Sequence, residues 1–322
     1  MKVLITGAAG FIGSNLCEFF LDKGAMVVGL DNFATGYIKN LEKVKNNPNF
    51  TFIRGDIRKM SDCQKVIKGI DIVLHQAALG SVPRSLKDPT TTNAVNITGF
   101  VNILEASIKN GVERFIYAAS SSTYGDSITL PKVEEIIGSP LSPYAVTKYT
   151  NELYASVYQR SYGLKTIGMR YFNVFGRKQD PEGAYAAVIP KFIGQILKGK
   201  NPVINGDGSF SRDFTYIDNV LQMNYLAATT KNKNAFNQVY NTAVGERTTI
   251  LDMTKQIING LKEKDPHLSD IKIEFGPERL GDIQHSQASI EKAKALLGYK
   301  PSHNFSKGLE ASLDWYYNTL KK

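Results

Sequence analysis

The apolar run KVLIT leads directly into TGAAGFIG, and an amphipathic stretch, GSNLCEFFLDKG, follows. The glycines Gly7, Gly10 and Gly13 constrain this chain more than any other feature. A backbone that turns tightly out of a strand and still approaches a pyrophosphate needs positions without Cβ. The helix N-terminus behind them offers free N–H groups and a positive dipole. Three glycines alone are weak evidence, because a glycine-rich strand-to-helix turn needs no ligand. The second apolar run, MVVGL, ends at Asp31, close to the roughly 20-residue offset at which an acid bonds adenosine ribose hydroxyls. A carboxylate there repels a 2′-phosphate, so the pattern predicts NAD rather than NADP. Asp56 in RGDI and Gln76 in HQAA stand at later strand ends and are expected as further contacts.

KVLIT, MVVGL, FTFIRGD, DIVLHQAA, RFIYAAS and KTIGMRYFNVFG alternate with helical stretches such as TTNAVNITGFVNILEASIKNG. Strands alternating with helices predict an α/β fold with a doubly wound parallel sheet of the Rossmann type. After residue 176 the pattern loosens into Gly/Pro/Asn/Asp-rich loops, and helical periodicity returns in IDNVLQMNYLAATT, TILDMTKQIINGLKEK and IEKAKALLG. A smaller C-terminal α/β region is expected there.

Several function classes are excluded at this level. No stretch of the 322 residues approaches the ~20 uninterrupted apolar residues of a membrane span. The N-terminal apolar run stops after four residues, which predicts a cytoplasmic protein without a secretory leader. Two cysteines without metal-ligand spacing and four histidines predict neither a disulfide nor a bound metal. The net charge of +9 is spread along the chain without a basic cluster. Nucleic acid is therefore not an expected partner, and the excess charge suits a multiply anionic small molecule.

Tyr144 and Lys148 in SPYAVTKYTNELYASVY are four residues apart, which places them on one helix face about 6 Å apart along its axis. Ser142 and Pro143 read as N-cap and first-turn residues. A phenol with a pKa near 10 is a poor base unless its anion is stabilised. A lysine, the positive helix end and an oxidised nicotinamide all act in that direction. Upstream, RFIYAAS runs into Ser120, Ser121 and Ser122 at a strand's carboxyl end, where α/β sheets place ligand groups. One of these hydroxyls could bridge Tyr144 to a substrate hydroxyl.

TGAAGFIG, SSSTYG and YAVTK together resemble the extended short-chain dehydrogenase/reductase superfamily over essentially the whole chain. HQAALGSVPRS, SPLSPYAVTK, RYFNVFGRKQDPEGAYAAVIP, INGDGSFSRDF and GDIQHSQA are similar to nucleotide-sugar 4-epimerases, and within them to bacterial UDP-N-acetylglucosamine 4-epimerases. That resemblance implies reversible C4 inversion of a UDP-hexose through a 4-keto sugar, with tightly held NAD and a homodimer. It implies Tyr144 as base and acid, Lys148 as the nicotinamide-ribose ligand, and Ser120 as the partner hydroxyl, with Ser121 and Ser122 competing for that role or contacting the sugar. It extends the cofactor set to Phe11, Ile12, Asn32, Phe33, Thr35 and Gly36, and to Ile57, Ala77, Ala78 and Tyr171. It divides the chain into an NAD-binding part, 1–176 with a returning segment near 214–244, and a UDP-sugar part, 177–213 and 245–322.

On the sugar side the resemblance implies Ser81, Arg84 and Asn205 as contacts, Asn173 at the diphosphate or sugar and Val188 near uracil. It further implies Arg212 and Arg279 on the diphosphate, where a guanidinium fork suits phosphate oxygens, and Asp282 on the uridine ribose. Ser286 would line the sugar pocket, where a bulky aromatic excludes a 2-acetamido group and a serine admits it. A UDP-uronic acid 4-epimerase or decarboxylase is the neighbouring reading. A 4,6-dehydratase would carry an acidic pair where this chain has Ser121 and Ser122. A non-catalytic NAD-binding regulatory module would have no need of the Tyr144/Lys148 pair.

Overall fold

The structure is a computed structural model that describes residues 1–183, 185–278 and 283–321. Seven strands, β1 (Lys2–Thr6), β2 (Met26–Asp31), β3 (Phe50–Arg54), β4 (Ile72–His75), β5 (Arg114–Ser120), β6 (Lys165–Tyr171) and β7 (Gln238–Thr242), form one sheet. Its order is β3-β2-β1-β4-β5-β6-β7, with every neighbouring pair parallel. The order reverses between β1 and β4, and the crevice outside the carboxyl ends at such a switch point is where open α/β sheets bind ligands. The doubly wound α/β class expected from the alternation is the one observed.

Both faces of the sheet are covered, which explains why its strands are nearly continuous apolar runs. In β1, Val3 and Ile5 enter one core with Leu16 and Phe20 of helix α1 (Phe11–Asp22), while Leu4 enters the other with Val73 and Phe115. Helix α2 (Gly99–Lys109) brings Phe100, Ile103 and Leu104 to that second face, and helix α3 (Pro143–Tyr162) adds Ala155 and Tyr158. The first core continues without a break into helices α4 (Val188–Leu197), α5 (Ile217–Thr229), α6 (Ile250–Lys264) and α7 (Phe305–Leu320).

Two elements depart from the sequence reading. QVYNT becomes β7, paired along its whole length with β6 from Gln238 opposite Ile167 to Thr242 opposite Tyr171. Its polar residues hide that strand, because Asn241 and Thr242 are fully buried by tertiary neighbours. The helix read through TTNAVNITGFVNILEASIKNG is interrupted by a π-helical turn at Ala94–Thr98. Such widened turns commonly re-aim a side chain. Here it carries the buried Asn96, which accepts from Leu79 N at 2.8 Å and donates to the Leu79 carbonyl and to Thr147 Oγ1.

Candidate active site

A cavity of about 320 Å³ lies at the carboxyl ends of β1, β2 and β4. Its walls include Gly7, Gly10, Phe11, Ile12 and Gly13 from the first turn, Asp31, Asn32 and Thr35 after β2, Asp56 and Ile57 after β3, and Gln76, Ala77 and Ala78 after β4. Leu30, Ala34, Gly55, Leu79, Gly80 and Val95 complete it and were missed in the sequence, where nothing distinguishes them from ordinary packing residues. The glycines are required by close approach. Gly7 has φ +69°, and a Cβ there would come within 2.9 Å of Ala77 N; a Cβ on Gly13 would lie 2.0 Å from the Gly7 carbonyl oxygen.

Asp31 is buried, with Oδ2 accepting from Ala9 N at 2.9 Å and Oδ1 accepting from Phe33 N at 2.7 Å. Burial pushes its pKa up, and these backbone bonds pull it down. Each carboxylate oxygen keeps a further lone pair, so the pair can accept two vicinal ribose hydroxyls. Phe33 and Gly36 adjoin this turn without lining the cavity: Gly36 packs on the Ala9 backbone. Asp56 is engaged by Arg58, whose guanidinium holds its carboxyl down to about 2. Tyr171 reaches the cavity through Gln76, donating to its Oε1 at 3.1 Å.

Beside this cavity α3 begins as the spacing predicts: Ser142 Oγ accepts from Ala145 N at 3.2 Å, and Pro143 opens the helix. Tyr144 is held at its backbone by Ser85 Oγ, which accepts from Tyr144 N at 3.1 Å. Burial pushes the Tyr144 phenol up, and a hydrogen bond with Ser120 pulls it down. Of the three serines, Ser120 is the one whose hydroxyl acts on the phenol in this way. Its Oγ accepts from Ser122 N at 3.2 Å and from Ser122 Oγ at 2.8 Å. Lys148 is buried and donates to the Ala118 carbonyl at 2.6 Å. Burial pushes its ammonium down to about 8, opposed by Glu152 one turn on. Asn96, bonded to Thr147 between Tyr144 and Lys148, ties this helix to the cavity wall at Leu79.

The sugar-side residues come from distant segments. Asn173, Val188, Asn205 and Arg212 line one cavity of about 210 Å³ with Phe192, Phe210 and Phe214. A gap of about 510 Å³ lined by Gly80, Ser81, Tyr185, Ala186 and Lys191 lies between. Gly80 also lines the first cavity, and Ala186 and Lys191 also line the sugar-side one, so the three adjoin as one groove. Arg84 stacks its guanidinium 5.1 Å from the Tyr185 ring centre. Ser286 is half-buried beside Arg212, its N donating to the Ser211 carbonyl at 3.0 Å, and it lines none of these cavities. Arg279 and Asp282 lie outside the described residues.

The groove's architecture is matched by known proteins. The NAD dependent epimerase/dehydratase family matches residues 3–243. The chain belongs to that family. A UDP-glucose 4-epimerase of Mycolicibacterium smegmatis is 32% identical over 321 residues, covering 99% of each chain. A solved UDP-N-acetylglucosamine 4-epimerase of Methanobrevibacter ruminantium, in complex with UDP-N-acetylmuramic acid, is 38% identical with a TM-score of 0.91, covering 98% of each chain. A solved UDP-glucuronic acid 4-epimerase of Bacillus cereus with NAD and UDP-glucuronic acid is 35% identical with a TM-score of 0.88, covering 99% of each.

NAD is the cofactor of this epimerase/dehydratase, and the first cavity fits it: the Cβ-free turn at the α1 N-terminus suits a pyrophosphate and Asp31 suits a ribose. Among the described residues no group of three His, Cys, Asp or Glu could hold a metal, and no helix is long and apolar enough to cross a membrane. A buried acid next to Arg212 that was not singled out in the sequence is Asp213. Fully buried, its carboxylate accepts from Val244 N at 3.0 Å, Gly245 N at 2.9 Å and Ala288 N at 3.2 Å. Its signal was an acid set directly between Arg212 and the apolar Phe214.

Proposed function

We propose that this chain is an NAD-dependent UDP-sugar 4-epimerase whose preferred pair is UDP-N-acetylglucosamine and UDP-N-acetylgalactosamine. The observation that carries the reading is Tyr144 and Lys148 one turn apart on α3, a turn that Asn96 ties to the first cavity's wall through Thr147 Oγ1 and Leu79, with Ser120 at the end of β5 acting on the phenol. In this reading Tyr144 as phenolate takes the proton of the sugar 4-hydroxyl, and Ser120 stabilises the phenolate by donating to it. Bound NAD takes the C4 hydride and later returns it to the opposite face of the 4-keto sugar, so the reaction has no net redox change. Lys148 holds the nicotinamide ribose. Arg212 and Arg279 hold the diphosphate about which the sugar turns, and Asn173, Asn205 and Val188 flank the uridine and sugar. Tyr144 then gives its proton back to the inverted alkoxide. Ser286, small and beside Arg212, leaves room for a 2-acetamido group. The exposed apolar stripe of α3, Val146, Leu153, Tyr154 and Val157, supports a homodimer packed through this helix.

The test is incubation with UDP-GlcNAc, UDP-Glc and UDP-glucuronate separately, without added NAD, with chromatographic separation of the C4 epimers. Conversion of the acetylated pair at least as fast as the plain pair is expected. Conversion of plain or uronic sugars alone removes the sugar assignment, and no inversion of any of them removes the epimerase reading. Enzyme stripped of cofactor and restored by NADP but not by NAD would overturn the role given to Asp31.

A further inference from the structure

RYFNVFG and the helix that carries YAVTK each hold a charged residue that the epimerase reading leaves unused, Arg170 and Glu152. Both are buried, and they meet: Arg170 donates from Nε to Glu152 Oε1 at 2.9 Å and from Nη2 to Oε2 at 2.8 Å. The guanidinium is fixed on its other sides, with Nη1 donating to the Glu134 carbonyl at 2.9 Å and the Tyr124 ring centre 4.8 Å away. Sheet register sets its height, because Arg170 on β6 lies opposite Ala119 of β5.

Glu152 stands one helical turn past Lys148 on α3. A lysine and a carboxylate four residues apart on a helix are neighbours, and burial strengthens their attraction. Lys148 is buried as well, yet among the described residues it makes no ion pair. Its ammonium donates instead to the Ala118 carbonyl at 2.6 Å. Of the three N–H bonds of an ammonium, two are then left for a ligand. A carboxylate closing on Lys148 would take at least one of them.

We propose that Arg170 is a positioning residue: by engaging both oxygens of Glu152 it keeps that carboxylate from pairing with Lys148 and leaves the ammonium at the Ala118 carbonyl, with two N–H bonds for the two hydroxyls of a nicotinamide ribose. The proposal rests on the reading above that Lys148 holds this ribose. The ion pair then serves the lysine more than the fold, since taking two charges out of water costs about as much as their attraction returns.

The experiment compares Arg170→Met and Glu152→Gln holoenzyme by the rate of NAD release on dialysis and by the crystal structure of each. Both variants break the same pair and leave one partner buried without it, so a purely structural role predicts equal effects. The proposal predicts unequal ones. Arg170→Met frees the carboxylate, so Lys148 Nζ should leave the Ala118 carbonyl for Glu152. NAD should then be released at least about tenfold faster, as for one lost charge-assisted hydrogen bond, whereas Glu152→Gln should stay within about threefold of wild type with Lys148 in place. Adding Glu152→Gln to Arg170→Met should restore retention. Equal loss in the two single variants, or Lys148 still on the Ala118 carbonyl in Arg170→Met, overturns the proposal. So does Glu152→Gln releasing NAD as fast as Lys148→Met, a result that decides even if Arg170→Met fails to fold. Wild-type retention in Lys148→Met would instead overturn the ribose role given to Lys148, while the position of Nζ in Arg170→Met still decides what Arg170 does.

Discussion

The two ends of the groove are built by different means. At the cofactor end the walls are short runs of residues leaving parallel strands: Gly7 and Gly10 to Gly13 after β1, Asp31, Asn32, Ala34 and Thr35 at the end of β2, and Gln76 to Gly80 after β4. Sheet register sets their positions, and two backbone contacts, Gly7 on Ala77 and Gly13 on Gly7, leave no space for a side chain. At the sugar end, residues 173, 188, 205 and 212 come from four segments joined by short pairings, Val203–Asn205 with Glu274–Gly276 and Ser211–Arg212 with Thr248–Thr249. There the three bonds accepted by Asp213 and the Arg212 bonds to the Ser211 and Gln284 carbonyls link the strands and loops. The cofactor end is thus tied to the fold itself, whereas the sugar end can change its side chains without disturbing the sheet. Relatives with TM-scores of 0.91 and 0.88 bear the names of different sugars, as that contrast implies.

The contrast can be broken by substitutions that act on every sugar and sharpened by those that act on one. The largest effect is expected from Tyr144→Phe, which keeps the ring and removes the proton acceptor. Its kcat should fall ~10²–10⁴-fold for every UDP-sugar the enzyme turns over, with KM little changed. A loss in KM alone, or for one sugar alone, would move Tyr144 to the sugar end. Next comes Gly13→Ala, whose Cβ would meet the Gly7 carbonyl oxygen at 2.0 Å. Overpacking of about 1–3 kcal/mol corresponds to roughly 5–150-fold weaker NAD retention, read from the cofactor content of the purified protein. Undiminished retention would show that the turn yields after all.

Ser286→Tyr should lower kcat/KM for the acetylated pair by at least about tenfold while leaving the plain pair partly active. Equal loss on both pairs would show that the residue supports the fold and not the sugar choice. The smallest effect is a tilt in stability with pH. Burial raises the Asp213 carboxyl from 3.8 to about 6, so between those values the folded chain holds a proton that the unfolded chain has released. Asp213 therefore makes stability rise as pH falls from about 6 toward 4 and level off below. Asp213→Asn, measured by urea unfolding at several pH values, should lose that tilt while keeping bound NAD; an identical tilt in the variant would assign it to other groups.

What the amino-acid order determined by itself is whatever depends on neighbours close in the chain. The strand-to-helix turn through Gly7, Gly10 and Gly13, the acid ending β2, the N-cap at Ser142 and the one-turn spacing of Tyr144 and Lys148 all arise within a few residues of backbone. The doubly wound class follows from the same alternation of periods. Tertiary structure decided what rests on partners far along the chain. Ser120 acts on the Tyr144 phenol because β5 packs against α3, a fact no spacing between residues 120 and 144 contains. Asn96 acquires a purpose only when the π-helical turn sets it between Leu79 and Thr147, and β7 exists as a strand because β6 offers it an edge. Asp213 collects N–H groups from positions 244, 245 and 288. A buried carboxylate reads in sequence as one more surface acid, because burial and its compensating hydrogen bonds are properties of the folded neighbourhood and not of the residue.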